Sequence, residues 1–369
     1  MQKHQKSSEE RVKYLMKPDI SVIMSVYNGE TYIEEAIESV IKQTFTNWEL
    51  IVINDCSTDS TAEILDRISL RDERIKVHTN EVNLRLPASL NKAISFSCGK
   101  YIARMDADDI CLPDRFEKQY KFMEENSDVA LSSCRFMTVK NGVYMSGGAG
   151  GRCDNQALRA MLLVANPILH PGVIAKSEVM KKFNYDTGLT CTEDLELWTR
   201  MMMGEQKIEI LPECLLIYRL HDKQITSTTL ERQHSEVLKI QQKYYGTLLQ
   251  KLDEKMQEFY ISGIYFKENA DIDKFLEYAK WLKRVSGKNF DKKTISYALL
   301  EILAEYKRCG VSKTDVVKAM LSFNPFFLMK EITRRKQTAK KDIAKCMKVA
   351  SDLGLKQTSG TREFPIFEK

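Results

Sequence analysis

Short apolar runs alternate with longer amphipathic segments over the first third of the chain. Four runs are bounded by polar or turn-forming residues and predict buried strands: Ile20–Val26, Trp48–Ile53, Ile75–His78 and Tyr101–Met105. The segments between them carry apolar residues at helical spacing and predict three helices. The first covers Thr31–Gln43, the second follows the capping residues Ser57–Ser60 and ends at about Ser69, and the third covers Pro87–Ser97. Because strands and helices alternate, we expect an α/β fold in which helices cover both faces of a mostly parallel sheet.

The pattern changes in the remainder of the chain. Further elements are predicted in this order: a helix from Pro113 to about Asn126, strands at Val129–Ser133 and Phe136–Val139, a helix at Thr192–Met203 and two strands within Lys207–Leu220. The glycine-rich segment Ser146–Gly151 fits either a loop that covers a ligand or a plain linker. From about Ser227 strand signals stop and helical periodicity dominates. We therefore expect a flexible basic N-terminus at 1–17, an α/β domain at 18–226, a helical appendage at 227–352 and a loose tail at 353–369.

Composition and charge exclude several classes of protein. The 369 residues are 43% hydrophobic and 29% charged, as in ordinary globular proteins. A net charge of +5 without a basic-aromatic motif argues against a nucleic-acid partner. Nine cysteines without a C-x-x-C pair argue against zinc and fit free thiols in a reducing compartment. The polar N-terminus lacks a signal core, and no run of about 18 apolar residues occurs. We therefore expect a cytoplasmic protein.

An acidic cluster directly follows the fourth predicted strand. Asp106, Asp108 and Asp109 place three carboxylates within four residues. Open α/β sheets bind ligands at the carboxyl ends of their strands, and a cation relieves the repulsion between neighbouring carboxylates. An acidic loop or a helix N-cap explains the same residues, so both interpretations stay open on this stretch alone.

Other motifs extend the pattern, and their order is informative. In chain order they are Ser25-Val-Tyr-Asn28, Ile51-Val-Ile-Asn-Asp-Cys-Ser-Thr-Asp59, Asn83-Leu84, Gly99-Lys-Tyr-Ile-Ala-Arg-Met-Asp-Ala-Asp-Asp109, Pro113-Asp-Arg115, His170-Pro171, Glu193-Asp194 and Tyr218-Arg-Leu-His221. Together they resemble family 2 glycosyltransferases, which have a GT-A fold, from about Ile20 to Ile225. The resemblance implies inverting sugar transfer from a nucleotide-sugar donor.

The resemblance also implies a divalent metal ion, Mg²⁺ or Mn²⁺, at a D-x-D motif. Asp108 would hold the metal, Asp106 would contact the ribose and the metal's water shell, and His221 would lie at the metal or the diphosphate. A diphosphate leaving group carries concentrated negative charge, which a hard, oxygen-ligated cation neutralises. For Asp109 we favour a different role, capping the next helix.

Donor recognition is carried over from the family in the same way. Asp55 would accept a hydrogen bond from N3–H of a uracil ring. Tyr27 fits either a residue that stacks on that ring or a core aromatic. Arg104 could pair with the diphosphate, or neutralise Asp55 or Asp106. The remaining residues expected to line the donor pocket are Ser25, Asn28 and Arg219.

The acidic pair Glu193-Asp194 matches the family's motif for the catalytic base. Inversion by direct displacement needs one base on the acceptor side of the sugar. We assign that role to Asp194, with Glu193 orienting the acceptor or the donor sugar, and we expect His170 near the acceptor entrance. The alternative is that both acids complement the dipole of the helix that follows them.

Two residues depart from the family pattern. The family usually has a small residue, often glycine, where this chain has Arg85, and a glycine where it has Cys56. Donor contacts from the segment around Arg85 are therefore in doubt, and the turn at Cys56 lacks the residue that adopts a positive φ most readily.

The C-terminal region has an apolar segment, Leu321–Met329, followed by a lysine- and arginine-rich stretch that continues to Lys348. Such a pair fits contact with the inner face of an anionic membrane, where a lipid-linked oligosaccharide acceptor would be found. The alternative is that the aromatics pack on the helical appendage and the basic residues form a solvated face. The acceptor expected from the resemblance is a growing glycan, such as a surface polysaccharide.

Three other functions explain part of the sequence. Asp106-x-Asp108 resembles the nucleophile motif of haloacid-dehalogenase-type phosphatases, which expect it on the first strand rather than after the fourth. A nucleotidyltransferase would need a glycine-rich phosphate loop after the first strand. A non-catalytic nucleotide-sugar-binding module would be expected to lose a metal carboxylate or the base.

Overall fold

The computed structural model describes most of the chain between residues 17 and 321. The described ranges are 17–140, 143–145, 155–163, 165–221, 230–249, 254–265, 270–286 and 311–321, with residues 299, 302, 303, 306, 356–358 and 366–368. The expectations for residues 1–16, for the loop Ser146–Gly151 and for the basic stretch after Leu321 lie outside these ranges.

Eleven strands and eleven α-helices are described. The strands are β1 Ile20–Val26, β2 Trp48–Asn54, β3 Ile75–Thr79, β4 Tyr101–Arg104, β5 Ile110–Cys111, β6 Val129–Lys140, β7 Val143–Met145, β8 Ile174–Lys176, β9 Lys207–Leu220, β10 Lys356–Thr358 and β11 Ile366–Glu368. The helices are α1 Ile33–Ile41, α2 Thr61–Ser69, α3 Arg85–Phe96, α4 Arg115–Glu125, α5 Asn155–Met161, α6 Ser177–Phe183, α7 Glu193–Met203, α8 Leu230–Leu249, α9 Glu254–Phe259, α10 Ile272–Ser286 and α11 Lys313–Leu321. A 3₁₀ turn covers His170–Gly172, and a π-helical turn covers Tyr260–Tyr265.

One mixed sheet organises the fold, with the strand order β10-β11-β7-β6-β8-β4-β1-β2-β3. Strands β3, β2, β1 and β4 are parallel, as the sequence predicts, and β8 then pairs antiparallel with both β4 and β6. The parallel part needs buried strands because helices cover both of its faces. β1 is buried along almost its whole length accordingly.

Two long strands differ from the prediction. We predicted two strands in each of two segments, but each segment forms one continuous strand. These strands, β6 and β9, pair in parallel. Their pairing is irregular between Ser133 and Phe136, where the register shifts. A bulge bends a strand and breaks its alternation without ending it, so the polar interruption in the sequence resembles a turn.

The C-terminal helices share a hydrophobic core with the α/β domain. One cluster of buried residues joins Trp198 and Met201 of α7 to Ile240 of α8, Tyr260 of the π-helical turn and Phe275 of α10. A second cluster lies on the other side of the sheet and includes α1 and Phe116 of α4. In the segment expected to be a loose tail, the described residues are β10 and β11, and β11 pairs with β7 at the sheet edge. Among the described residues, no helix is both long enough and apolar enough to cross a bilayer.

Candidate active site

The order in which strands are added to the sheet reverses at β1. β2 and β3 lie on one side of β1, and β4 lies on the other. Such a switch point opens a crevice at the carboxyl ends of the strands, where α/β folds bind their ligands. The backbone N–H of Met105 still bonds to Ile23 O at 3.1 Å, so the acidic cluster begins where β4 leaves its neighbour.

The carboxylates of Asp106, Asp108 and Asp109 converge in this crevice. Each offers an oxygen, and these oxygens lie within 4.8 Å of one another. Arg104 forms an ion pair with Asp106, one of the two acids that it was expected to neutralise. Burial raises the pKa of Asp106 to about 6, with the charges of Asp108 and Asp194 adding to the shift and Arg104 opposing it.

Asp109 does not cap the next helix, contrary to the prediction. The residue that precedes α4 is Asp114, whereas Oδ1 of Asp109 accepts the backbone N–H of Arg219 at 2.9 Å. Asp109 is 0% exposed, and its Oδ2 meets no hydrogen-bond donor among the described residues. Burial and the two neighbouring aspartates raise the pKa of Asp109 well above its ordinary value. A buried carboxylate oxygen beside two others fits a site for a hard divalent cation.

The end of β9 brings a basic and an imidazole side chain to the acidic cluster. Nε2 of His221 lies 2.8 Å from Oδ2 of Asp108. Nε of Arg219 donates to the backbone carbonyl of Asp108 at 2.8 Å. The two residues predicted from the Tyr218–His221 motif are therefore in place beside the carboxylates, 111 and 113 residues away in the chain.

Two residues that the sequence analysis missed orient this basic pair. Arg219 donates to Oε2 of Glu35 at 2.9 Å, and its guanidinium lies 4.4 Å from the ring centroid of Tyr32. The ring of Tyr32 also lies 5.2 Å from that of His221. In the sequence Glu35 reads as an ordinary acid in the first turn of a helix, and nothing marks Tyr32.

The loop after β1 is hydrogen-bonded to the loop after β2. Asn28 has a φ of 53° and accepts the backbone N–H of Thr58 at 2.8 Å, while its own N–H bonds to Ser57 Oγ at 3.0 Å. Tyr27 is 52% exposed, so it is not a core aromatic. Ser25 is partly buried at the end of β1. Asn28 thus shapes the loop that presents Tyr27.

Asp55 lies at the end of β2 and is 2% exposed. Its Oδ1 accepts from Nδ2 of Asn80 at 2.7 Å and from the backbone N–H of Leu84 at 2.8 Å. Both departures from the family pattern border this carboxylate, and both adopt a left-handed backbone, with φ of 62° at Cys56 and 69° at Arg85. Side chains other than glycine are strained there.

Asp194 lies in the first turn of α7. Its Oδ2 accepts from Nδ2 of Asn166 at 2.8 Å, and its Oδ1 accepts from the backbone N–H of Leu195 at 2.7 Å. Burial raises the pKa of Asp194, while these two donors and the charge of Arg104 oppose the rise. A raised pKa makes a carboxylate a stronger base at neutral pH.

Glu193 belongs to a separate buried group. Its Oε1 is 3.8 Å from Nδ1 of His170, whose Nε2 is hydrogen-bonded to the hydroxyl of Tyr185 at 2.8 Å. Burial, together with the charge of Asp194, raises the pKa of Glu193 to about 8. Burial and the charge of Arg104 lower the pKa of His170 well below its ordinary value. His170 is buried beside Glu193, and its expected place near the acceptor entrance stays a prediction.

The buried Arg115 links two backbone segments near the site by hydrogen bonds. Its guanidinium donates to the backbone carbonyls of Arg104 at 2.9 Å and Val173 at 3.1 Å. Its Nε donates to Oε1 of Gln119 at 2.9 Å. Arg115 therefore ties the end of β4 to the segment that carries His170.

Comparisons with known proteins identify the family. Residues 21–173 match the family described as Glycosyl transferase family 2. An uncharacterized glycosyltransferase of Haemophilus influenzae is 33% identical over 294 residues, which is 76% of this chain and 90% of that protein. The O-antigen biosynthesis glycosyltransferase WbnJ of Escherichia coli is 32% identical over 216 residues, covering 57% of this chain and 83% of WbnJ.

The solved structures agree on the fold. TarS 1–349 of S. aureus, in complex with UDP-GlcNAc, superimposes with a TM-score of 0.53 at 16% identity, covering 96% of this chain and 99% of that one. The fold is the predicted GT-A type with a C-terminal helical appendage, and the Asp106–Asp108 pair follows its fourth strand rather than the first strand of a phosphatase. Sequence, fold and relatives together place this chain in glycosyltransferase family 2.

Proposed function

We propose that this chain transfers a hexosyl or N-acetylhexosaminyl group from a UDP-sugar to a glycan hydroxyl, with inversion, in surface polysaccharide biosynthesis. The position of Asp194 carries the proposal. It is a partly buried carboxylate with a raised pKa that accepts a hydrogen bond from Asn166, and its charge contributes to the raised pKa of Asp106.

The reaction follows as a single displacement. Asp194 accepts the proton of the acceptor hydroxyl while the acceptor oxygen forms its bond to the anomeric carbon. The bond from that carbon to the diphosphate oxygen breaks on the opposite face, so the configuration inverts. Glu193, with a pKa near 8, is protonated at neutral pH and would donate a hydrogen bond to a sugar oxygen.

The donor side rests on Asp55 and the acidic cluster. Both hydrogen bonds to Asp55 reach Oδ1, and we propose that Oδ2 accepts from N3–H of uracil, with Tyr27 stacking on the ring. Asp106, Asp108 and Asp109 would hold Mg²⁺ or Mn²⁺, with His221 beside them. When bound, this ion supplies positive charge that stabilises the departing diphosphate. Arg219 would add to that charge.

The relatives support the choice of donor and acceptor. WbnJ is named for O-antigen biosynthesis, and the name of a Bacillus subtilis relative, TuaG, refers to teichuronic acid biosynthesis. TarS was solved with UDP-GlcNAc, which is therefore the first donor to test. The proposal includes the basic stretch after Leu321 as a contact with the inner membrane face. A non-catalytic module would lack a cluster carboxylate or the base, and this chain has both.

Calorimetric titration with UDP, GDP and dTDP, each with Mn²⁺ or with a chelator, tests the donor site. We expect binding that requires Mn²⁺ and prefers UDP. Preference for another nucleotide would overturn the role of Asp55, and the absence of nucleotide binding under either condition would overturn the proposed function.

A further inference from the structure

We propose that Glu236, on α8 of the helical appendage, is a positioning residue for Asp194, so that the appendage forms part of the catalytic site. This inference rests on the proposed role of Asp194 as the base. It assigns a role in the reaction to helices that match no motif of the family.

Glu236 holds the three residues that precede the helix of the base, which we call the 190–192 loop. Its Oε2 accepts from the hydroxyl of Thr192 at 2.8 Å, and from the backbone N–H and the thiol of Cys191 at 3.4 and 3.3 Å. Its Oε1 accepts from the hydroxyl of Thr190 at 3.3 Å. One carboxylate therefore gathers four donors from three consecutive residues, and Asp194 follows two residues later.

The contact involves the N-cap residue of α7. Thr192 occupies the N-cap position, where it makes no side-chain capping hydrogen bond and its hydroxyl donates to Glu236. A threonine at this position ordinarily satisfies the free N–H groups of its own helix. The start of the helix is thereby tied to α8.

Glu236 is buried, yet its environment favours the charged form. Burial alone would raise its pKa, but hydrogen bonds from Thr192, Cys191 and Arg232 lower it. A buried charge that loses its donors is costly, so any displacement of the 190–192 loop is opposed.

The appendage also supports the residue on the other side of Asp194. Asn166, which donates to Asp194, follows a segment whose carbonyls bond to the appendage. Nε2 of Gln241 donates to Leu162 O at 3.0 Å, and the hydroxyl of Tyr260 donates to Leu163 O. The appendage therefore supports Asp194 in two ways: through the 190–192 loop and through the segment before Asn166, which donates to Asp194.

A simple docking role would also explain contacts between α8 and α7, and the chain offers a matched control. The hydroxyl of Tyr244 on α8 donates to Oε1 of Glu196 on α7 at 2.7 Å, away from the 190–192 loop. Tyr244→Phe removes a contact between the same two helices without touching that loop. Arg232→Gln, which changes a largely exposed partner of Glu236, is a second control.

The experiment compares Glu236→Ala, Glu236→Asp, Tyr244→Phe, Arg232→Gln and Asp194→Asn in the full chain, by UDP release from UDP-GlcNAc and by calorimetric UDP binding. Since a displacement of about 1 Å can cost a factor of about 10² in rate, we expect Glu236→Ala to lower kcat at least about tenfold. Its donor KM and UDP affinity should change less than about threefold, and Glu236→Asp should recover part of the loss. The two controls should stay within about twofold of the wild type.

Two results would overturn the inference in distinguishable ways. If Asp194→Asn keeps its rate, the base assignment fails and Glu236 has nothing to position. If Asp194→Asn is inactive but Glu236→Ala matches Tyr244→Phe in kcat, the proposed function survives and Glu236 only docks the helices. Should Glu236→Ala unfold below the assay temperature, Glu236→Gln, which keeps the side-chain shape, is judged by the same comparison.

Discussion

Nε2 of His221 lies 2.8 Å from Oδ2 of Asp108, the carboxylate expected to bind the metal, although the two residues are 113 positions apart in the chain. Residues that orient metal ligands typically contribute a factor of about 10–100 to metal affinity. We expect His221→Ala to weaken Mn²⁺-dependent UDP binding by about that factor and Asp108→Ala to abolish it.

Calorimetry with and without a chelator measures this effect. His78→Ala is the control, since His78 stacks on Phe96 and belongs to the edge strand β3. Equal UDP affinity of the Asp108 variant in Mn²⁺ and in chelator, at the wild-type level in Mn²⁺, would refute the metal role.

Asp194→Asn removes the proposed base while keeping the shape of the side chain. General-base catalysis contributes about 10²–10⁴-fold, so we expect UDP release from UDP-GlcNAc to fall by at least about 10² while UDP affinity changes little. Asp128→Asn, at an exposed aspartate paired with Lys207, should leave both quantities unchanged. A variant that retains wild-type turnover would show that the base is another residue.

Glu193→Gln should stabilise the protein increasingly as the pH rises. The pKa of Glu193 is raised to about 8 in the folded state from 4.5, mainly by burial. A raised pKa means that the glutamate's favourable contribution is complete below pH 4.5 and is lost as the pH rises towards 8. Glutamine carries no charge to bury, so the difference in melting temperature between variant and wild type should grow over this window and then level off.

Thermal melts between pH 4 and pH 9 measure this difference. Glu213→Gln, at an exposed position, controls for the general effect of removing a carboxylate. A constant difference in melting temperature over the window would contradict the buried, raised-pKa state of Glu193.

Arg115→Leu should lower the free energy of unfolding by about 2 kcal/mol, because it removes the Arg115 hydrogen bond to the buried carbonyl of Arg104, whereas the carbonyl of Val173 keeps the backbone N–H of Arg104 as a donor. Urea titration gives the value. Lys121→Leu on the same helix α4, where the exposed lysine forms a long ion pair with Glu125, should change it by no more than about 0.5 kcal/mol. A loss for Arg115→Leu as small as that of the control would mean that the Arg104 carbonyl finds another donor.

The predictable part of the fold is the parallel half of the sheet. β1, β2, β3 and β4 match the predicted runs to within a residue or two. For β1, β2 and β4 the reason is that a strand buried on both faces is mostly apolar, whereas the edge strand β3 alternates. The site residues at the ends of these strands were predictable for a second reason, because parallel strands bring their carboxyl ends to one edge of the sheet. Asp55 and Asp106 are placed by this rule alone.

The single strands β6 and β9 were not predictable, since the irregular pairing between Ser133 and Phe136 interrupts the alternation that identifies a strand. Nor was the C-terminal core, which depends on how helices far apart in the chain pack on α7. Periodicity indicates which face of a helix is buried, but not which partner covers it.

What the sequence by itself determined is the succession of the four parallel strands and the helices between them, the family and the acidic residues that face the crevice. Tertiary structure alone decided which partner each of these acids meets. Asp109 bonds to a backbone N–H 110 residues away, and Asp194 is held by an asparagine 28 residues before it. Such partners are set by strand register and helix packing, and neither is encoded in the local alternation of apolar and polar residues.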